Sequence, residues 1–231
     1  PHPYRTQLAA RLRLAETQVT VIVPDIGGGF GQKITVYREE LTVAAIARAL
    51  GRPIRWREDR FENLLASAQA RETVCATRAA VDRDGRLLAL ELDITEDFGA
   101  YSFYPANYMA RVVATILTGP YKCAHYAYQV TAVLTNKCGA APMRAPMAMT
   151  SWVMDGTLEA VARELGLDPF EVRRLNMIDT ADQPYAMPTG EIVADVTPVE
   201  TMRAALDAID VSAFRARQIG SRRTSRLLGL G

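Results

Sequence analysis

The tightest constraint on this chain is a run of glycines set between a β-branched stretch and a helical one. Residues 17–25 (TQVTVIVPD) alternate and are rich in β-branched side chains, the pattern of a strand. Gly27, Gly28, Gly29, Phe30 and Gly31 follow at once. Residues 39–50 then carry Leu41, Ile46 and Leu50 among alanines and stop at Gly51, which predicts a helix with its natural end. In such a layout the glycines let the backbone reach positive φ and bring its amides close to an anion. Two nucleotide-binding versions can be tested. The dinucleotide fingerprint needs a third glycine where Gln32 stands, and an acid about 20 residues on that closes a second strand. The nearest acid at a strand end, Glu58, is too far along. The P-loop needs a hydroxyl after its lysine, and Lys33 is followed by Ile34. A tight structural turn and a loop for some other cofactor remain. Phe30 favours the cofactor loop, because a turn has no need of a large aromatic ring.

Along the rest of the chain, residues 4–14 read as a short helix and residues 53–57 (PIRWR) as a short strand. Asp59 is placed to cap a helical turn through Leu65. Residues 71–96 form long alternating strands around the hairpin chemistry of Asp82, Arg83, Asp84 and Gly85. Residues 126–135 make another strand. Residues 155–165 are the clearest helix, with Gly166 at its end. Asp168 and Pro169 start the next helix, which runs to about Met177. Residues 179–197 read as a loop, and Thr197-Pro198 opens a last helix through Ile209. Helices and strands mix without strict alternation, so the expected fold class is α+β, mixed sheets with packed helices.

Composition removes several classes of function. Hydrophobic residues are 49% and charged residues 23%, enough apolar surface to offset the entropy of ordering. The longest apolar runs fall far short of the roughly 20 residues that a bilayer demands, so no membrane partner is expected. No secretion signal is visible, which points to a cytoplasmic protein. A net charge of +1 argues against nucleic acid. Arg215, Arg217, Arg222, Arg223 and Arg226 crowd the last stretch with no acid among them, and read as a solvated helix face or an inter-domain surface. The three cysteines, Cys75, Cys123 and Cys138, form no CxxC, and His2 and His125 are the only histidines. That supplies no zinc ligand set, and buried free thiols in a reducing cytoplasm are expected.

VIVPDIGGGFGQK resembles the glycine loop of the large, molybdenum-binding subunit of the xanthine dehydrogenase / aldehyde oxidase / carbon monoxide dehydrogenase family. The resemblance continues in order through YREE (residues 37–40), GRPIRWREDRFENLLAS (51–67), DFGAYS (97–102), GPY (119–121), PMRAP (142–146) and LEAVARELGLDPFEVRRLNMI (158–178). It implies a partial chain. Residues 1–178 would be the first molybdenum-cofactor-binding region. Residues 179–231 would be a linker loop, a helix and the start of a connection to a second molybdenum region.

In that family the metal rides on a pterin cofactor and takes no protein ligand, so no metal ligand is expected here. The resemblance assigns the cofactor to Gly28, Gly29, Phe30 and Gly31 on one side and to Arg144 and Ala145 on the other. The pterin would be of the cytosine dinucleotide form, with iron–sulfur and FAD groups on partner subunits or domains. Phe30, Arg111 and Met147 would face the substrate. The implied reaction is oxidative hydroxylation of an aldehyde or an N-heteroaromatic small molecule, with water as oxygen source. No catalytic residue is expected in this chain: the base glutamate would lie beyond Gly231, and a cofactor-facing glutamine would precede Pro1. Purine oxidisers carry glutamate where this chain has Ile34, and carbon monoxide oxidisers carry cysteine where it has Ala145, so neither substrate is favoured. The expected partners are the remaining part of the large subunit, an iron–sulfur subunit and an FAD subunit. The alternative is a non-catalytic binding or assembly module that kept the scaffold without the base.

Overall fold

The computed structural model describes residues 1–101, 103, 108–223 and 225–230. Ser102, which ends the DFGAYS motif, and Gly231, beyond which the base glutamate is expected, lie outside the described residues. The helices are α1 (His2–Leu12), α2 (Arg38–Leu50), α3 (Arg60–Ala66), α4 (Met109–Thr115), α5 (Ala148–Leu165), α6 (Pro169–Asn176), α7 (Pro198–Ile209) and α8 (Val211–Ser221). Strands β1 (Thr73–Val81), β2 (Leu87–Asp97) and β3 (His125–Val133) form one sheet in that order. Strands β4 (Tyr185–Ala186) and β5 (Ile192–Val193) form an antiparallel ribbon. The fold is α+β, as expected.

The chain divides into two compact units, interleaved in sequence. The first comprises residues 1–76, 92–115 and 128–151 and holds the glycine loop. Its helices begin where the local chemistry dictates. The Glu40 carboxylate accepts the Tyr37 amide at 3.0 Å to start α2, and Gly51 ends that helix at φ 61°. Asp59 accepts the Glu62 amide at 2.8 Å while Glu62 accepts that of Asp59 at 2.9 Å, a reciprocal cap on α3. The DFGAYS motif turns on Gly99 (φ 66°), where a Cβ would run into the Cys138 carbonyl. Asp97 fixes that turn by accepting from the Gly99 amide and the Thr135 hydroxyl, both at 2.8 Å, beside Lys137 at 2.6 Å.

The second unit comprises residues 77–91, 116–127 and 152–231. Its core includes Leu117, Leu158, Ala162, Val172 and Ile178, each 1% exposed or less. Asp82 shapes the hairpin turn by accepting the amides of Asp84 (3.0 Å) and Arg86 (2.8 Å). The buried Asn176 accepts the Leu87 amide at 2.7 Å and donates to the carbonyls of Gly85 (2.9 Å) and Val172 (2.8 Å). The Tyr121 hydroxyl donates to Asp155 at 2.7 Å, and Arg173 reaches the same carboxylate at 3.3 Å. Burial first, then the bond to Asp155, pushes the Tyr121 phenol up.

Several expectations change. Residues 19–26 are extended at their start (Val19 φ −118°, ψ 121°) but form no ladder, and neither do residues 53–57. Strand-like side-chain patterning gives a sheet only where a second backbone supplies hydrogen bonds, and none of the described residues does so there. Helix α5 begins seven residues before Asp155, at Ala148. Residues 179–197 hold the β4–β5 ribbon rather than loop alone, and α4 and α8 are additional. Arg215 and Arg217 lie on α8, stacked 5.6 Å from the rings of Phe170 and Phe214 respectively. All three cysteines are free thiols, but only Cys123 is buried, Cys75 and Cys138 being partly exposed. No helix among them is long and apolar enough to cross a membrane.

Candidate functional site

Backbone conformation organises the glycine loop. Gly28 (φ 116°) and Gly31 (φ 90°) occupy positive φ, and so does Phe30 (φ 49°). A Cβ on Gly31 would lie 2.7 Å from the Pro142 carbonyl oxygen, so at this position glycine is what lets two loops approach. The Ile34 amide closes the turn on Gly31 at 3.1 Å. Gln32 donates to Ser67 at 2.8 Å, and Ser67 donates to the Asn63 carbonyl at 2.6 Å, tying the loop to α3. The Tyr37 hydroxyl holds the Gln32 carbonyl at 3.1 Å. Lys33 folds back on the Gly28 carbonyl at 2.7 Å, which takes its ammonium away from the role it plays in a nucleotide loop.

The second loop, residues 142–146, comes from the far end of the same unit. Arg144 (φ 44°) and Ala145 (φ 51°) are consecutive left-handed residues, a conformation costing about 1–2 kcal/mol each for non-glycine residues. Three contacts hold it. The Arg144 amide donates to the Phe30 carbonyl at 2.5 Å. The Arg71 guanidinium donates to the carbonyls of Met143 and Arg144. The Arg144 guanidinium lies 5.5 Å over the Phe30 ring, within cation–π range. The Phe30 ring is 63% exposed. Arg144, Ala145 and Met147 are exposed as well.

The structure thus brings Gly28, Gly29, Phe30 and Gly31 together with Arg144 and Ala145 across an N–H···O bond. Met147 follows at the threshold of α5, its carbonyl accepting the Thr150 amide at 2.9 Å. Arg111 stands exposed on α4, and no contact among the described residues links it to either loop. Sequence reasoning missed Arg71, itself at φ 69°. It belongs to no motif, and its partners lie more than 70 residues away, so only the folded chain reveals it. Replacing Arg71 by methionine keeps the length of the side chain but removes both bonds to the loop carbonyls. The expected result is a chain that folds but holds the arginine loop less firmly, read as faster amide exchange across residues 143–145 than in the unchanged chain.

The amides of Gly29, Phe30 and Gly31 have no acceptor among the described residues. Three unengaged donors, a cradle that a Cβ at residue 31 would fill and an adjacent guanidinium suit an oxygen-rich anionic group. Among the described residues, no group of three His, Cys, Asp or Glu side chains is placed to hold a metal ion. A layout of this kind is suited to receive an anionic cofactor through backbone donors. Residues 1–177 match the model of the molybdopterin cofactor-binding domain. The chain is 32% identical over its whole length to the nicotine 6-hydroxylase large subunit of Paenarthrobacter nicotinovorans, covering 29% of that protein. It is 30% identical, again over its whole length, to the carbon monoxide dehydrogenase large chain of Hydrogenophaga pseudoflava, covering 30% of it. The crystal structure of quinoline 2-oxidoreductase from Pseudomonas putida 86 superposes with a TM-score of 0.91 at 36% identity, over 96% of this chain and 29% of that one. This chain belongs to the molybdopterin cofactor-binding domain family. It spans about three-tenths of the length of these relatives.

Proposed function

We propose that this chain is the first molybdenum-cofactor-binding region of a molybdenum hydroxylase large subunit. Residues 1–178 form that region, and residues 179–231 lead towards a second one. The observation that carries this reading is the apposition of the glycine and arginine loops, locked by the Arg144 amide on the Phe30 carbonyl. The amides of Gly29, Phe30 and Gly31 would donate to the oxygen-bearing groups of the cofactor. Arg144 would hold its loop against Phe30 and face the same oxygens, and Ala145 would keep the turn small. The exposed ring of Phe30, with Met147, would form an apolar wall that excludes water and receives a flat substrate, and Arg111 would orient it. When bound, the molybdenum–pterin group would supply the two-electron oxidation and activate water as the oxygen donor.

The substrate class follows from the relatives whose names contain nicotine and quinoline, both N-heteroaromatic rings. An N-heteroaromatic compound or an aldehyde is therefore the proposed substrate. The cytosine dinucleotide form of the pterin, the iron–sulfur and FAD partner subunits and a cytoplasmic location complete the proposal. The complete large subunit, produced with its partner subunits, should contain stoichiometric molybdenum and pterin. Lasting absence of both would overturn the reading in favour of a non-catalytic assembly module. Phe30→Ala should lower kcat/KM of the assembled enzyme by about tenfold or more through loss of positioning. Its thermal midpoint should stay unchanged, because the ring is mostly exposed. Unchanged turnover would count against the placement of Phe30.

A further inference from the structure

Strand β2 places a carboxyl where its pattern calls for hydrocarbon. Its inward row runs Leu90, Leu92 and Ile94, each 2% exposed or less, and the next residue of the same parity is Glu96. On the neighbouring strand β1, Thr73 shares a half-buried row with Cys75 and Thr77. Both Glu96 Oε2 and Thr73 Oγ1 are buried with no hydrogen-bond partner among the described residues. The Ala110 amide, on α4, donates to the Glu96 carboxyl.

The two orphaned atoms belong to side chains that line one cavity of about 20 Å³. Its other walls include Arg71 and the two ends of the arginine loop, Pro142 and Pro146. A space of that size holds one water, and a buried water needs two to four polar partners. Two buried polar groups on the lining of one such space are costly unless bridged. A neutral carboxyl can donate as well as accept, so it can complete the bridge. Burial pushes the Glu96 carboxyl up to about 7. Arg71 is the charged side chain on the cavity wall, and its guanidinium is engaged by the carbonyls of Met143 and Arg144. Cys75 is the titratable neighbour on β1, its thiol pushed up by burial and by the Glu96 charge. The cavity-lining residues of α4, the loop ends and Met149 carry no titratable side chain.

We propose that this cavity is a one-water site bridging a neutral Glu96 carboxyl to the Thr73 hydroxyl, and that the bridged pair is the floor of the arginine loop. Glu96 is thereby a positioning residue for the cofactor site, a role that rests on the function proposed above, whereas the water site stands without it. The folded chain keeps the Glu96 proton to about pH 7, while the unfolded chain releases it near the ordinary value of 4.5. Between those values the folded state binds more protons, so stability falls as pH rises from the lower to the upper and then levels.

The test compares the complete large subunit, in complex with its partner subunits, with Glu96→Gln and Thr73→Val at about pH 6 and about pH 8.5. The wild-type thermal midpoint should drop by several degrees over that interval, and retained molybdenum should fall with it. Glu96→Gln, a neutral isostere, should fold and lose most of that drop. Thr73→Val should lower the midpoint at the acid end, where the bridge is intact. A Glu96→Gln profile that tracks the wild type, a Glu96→Gln subunit that does not fold, or a Thr73→Val midpoint equal to wild type at the acid end would each overturn the proposal. A subunit without molybdenum under any condition would overturn the function proposed above. The midpoint comparison would still decide the water site.

Discussion

Replacing Gly31 by alanine is expected to leave the large subunit folded and strip it of molybdenum and pterin. Gly31 sits at φ 90°, ψ −31°, outside the regions that L-residues adopt, which costs about 1–3 kcal/mol once a side chain is present. The added methyl would also lie 2.7 Å from the carbonyl oxygen of Pro142, and both partners are backbone, so neither can swing aside. Relief requires the glycine and arginine loops to move apart, and their link is the Arg144 amide on the Phe30 carbonyl. Pro142 is buried whereas Gly31 is half-buried and Phe30 exposed, so the glycine loop is the side that yields and the fold is retained. Metal and pterin analysis of the variant complex checks the loss, and circular dichroism checks that the fold remains. Wild-type cofactor content in Gly31→Ala would show that the close approach of the two loops is not what retains the cofactor.

The largest expected effect on stability is at Asn176. Its side chain is 1% exposed and makes three hydrogen bonds, to the Leu87 amide and the carbonyls of Gly85 and Val172. Asn176→Ala leaves the Leu87 amide and Gly85 carbonyl without these partners, at about 1–3 kcal/mol for each orphaned buried group. With the small cavity added, the loss is on the order of 3–5 kcal/mol. Asparagine also supplies one acceptor and two donors, and here all three are used. Asn176→Asp keeps the acceptor for Leu87 but turns a carboxylate oxygen towards two carbonyls, so it should not rescue. Urea unfolding of the large subunit should show a markedly lower midpoint for both variants. Amide exchange across residues 82–87 should accelerate, because that turn loses its anchor. An unfolding free energy within about 0.5 kcal/mol of wild type, the range of a neutral surface change, would contradict the assignment.

Local chemistry made much of the fold legible. Asp59 and Asp168 start their helices as capping rules require, and Gly51 and Gly166 end theirs at φ 61° and φ 69°. The shape of the hairpin turn at residues 82–86 is set locally, by Asp82 accepting two amides within it, while Asn176 anchors it from outside. Residues 17–25 show where such reading fails. Alternation reports the preference of the side chains for an extended backbone, whereas a strand also needs a neighbour to bond with, and its identity is not a local property. Helix α8 escaped notice because arginines obscure a weak apolar pattern.

The same division runs through the site. The order of motifs around residues 27–33 and 142–146 was enough to mark the family and to nominate Phe30, Gly31 and Arg144. Their meeting was implied by the resemblance alone, because more than 100 residues separate the loops and loop closure over that distance leaves no local signature. Arg71, Thr73 and Glu96 carry no motif at all, and only the folded chain places them with Pro142 and Pro146 on the lining of one cavity. By itself the sequence determined which backbone segments can turn, cap and reach positive φ, since those depend on the residue and its nearest neighbours. Only the tertiary structure decided which amides are left without an acceptor among the described residues and which carboxyl is buried. Burial and hydrogen-bond satisfaction depend on everything that packs around a group.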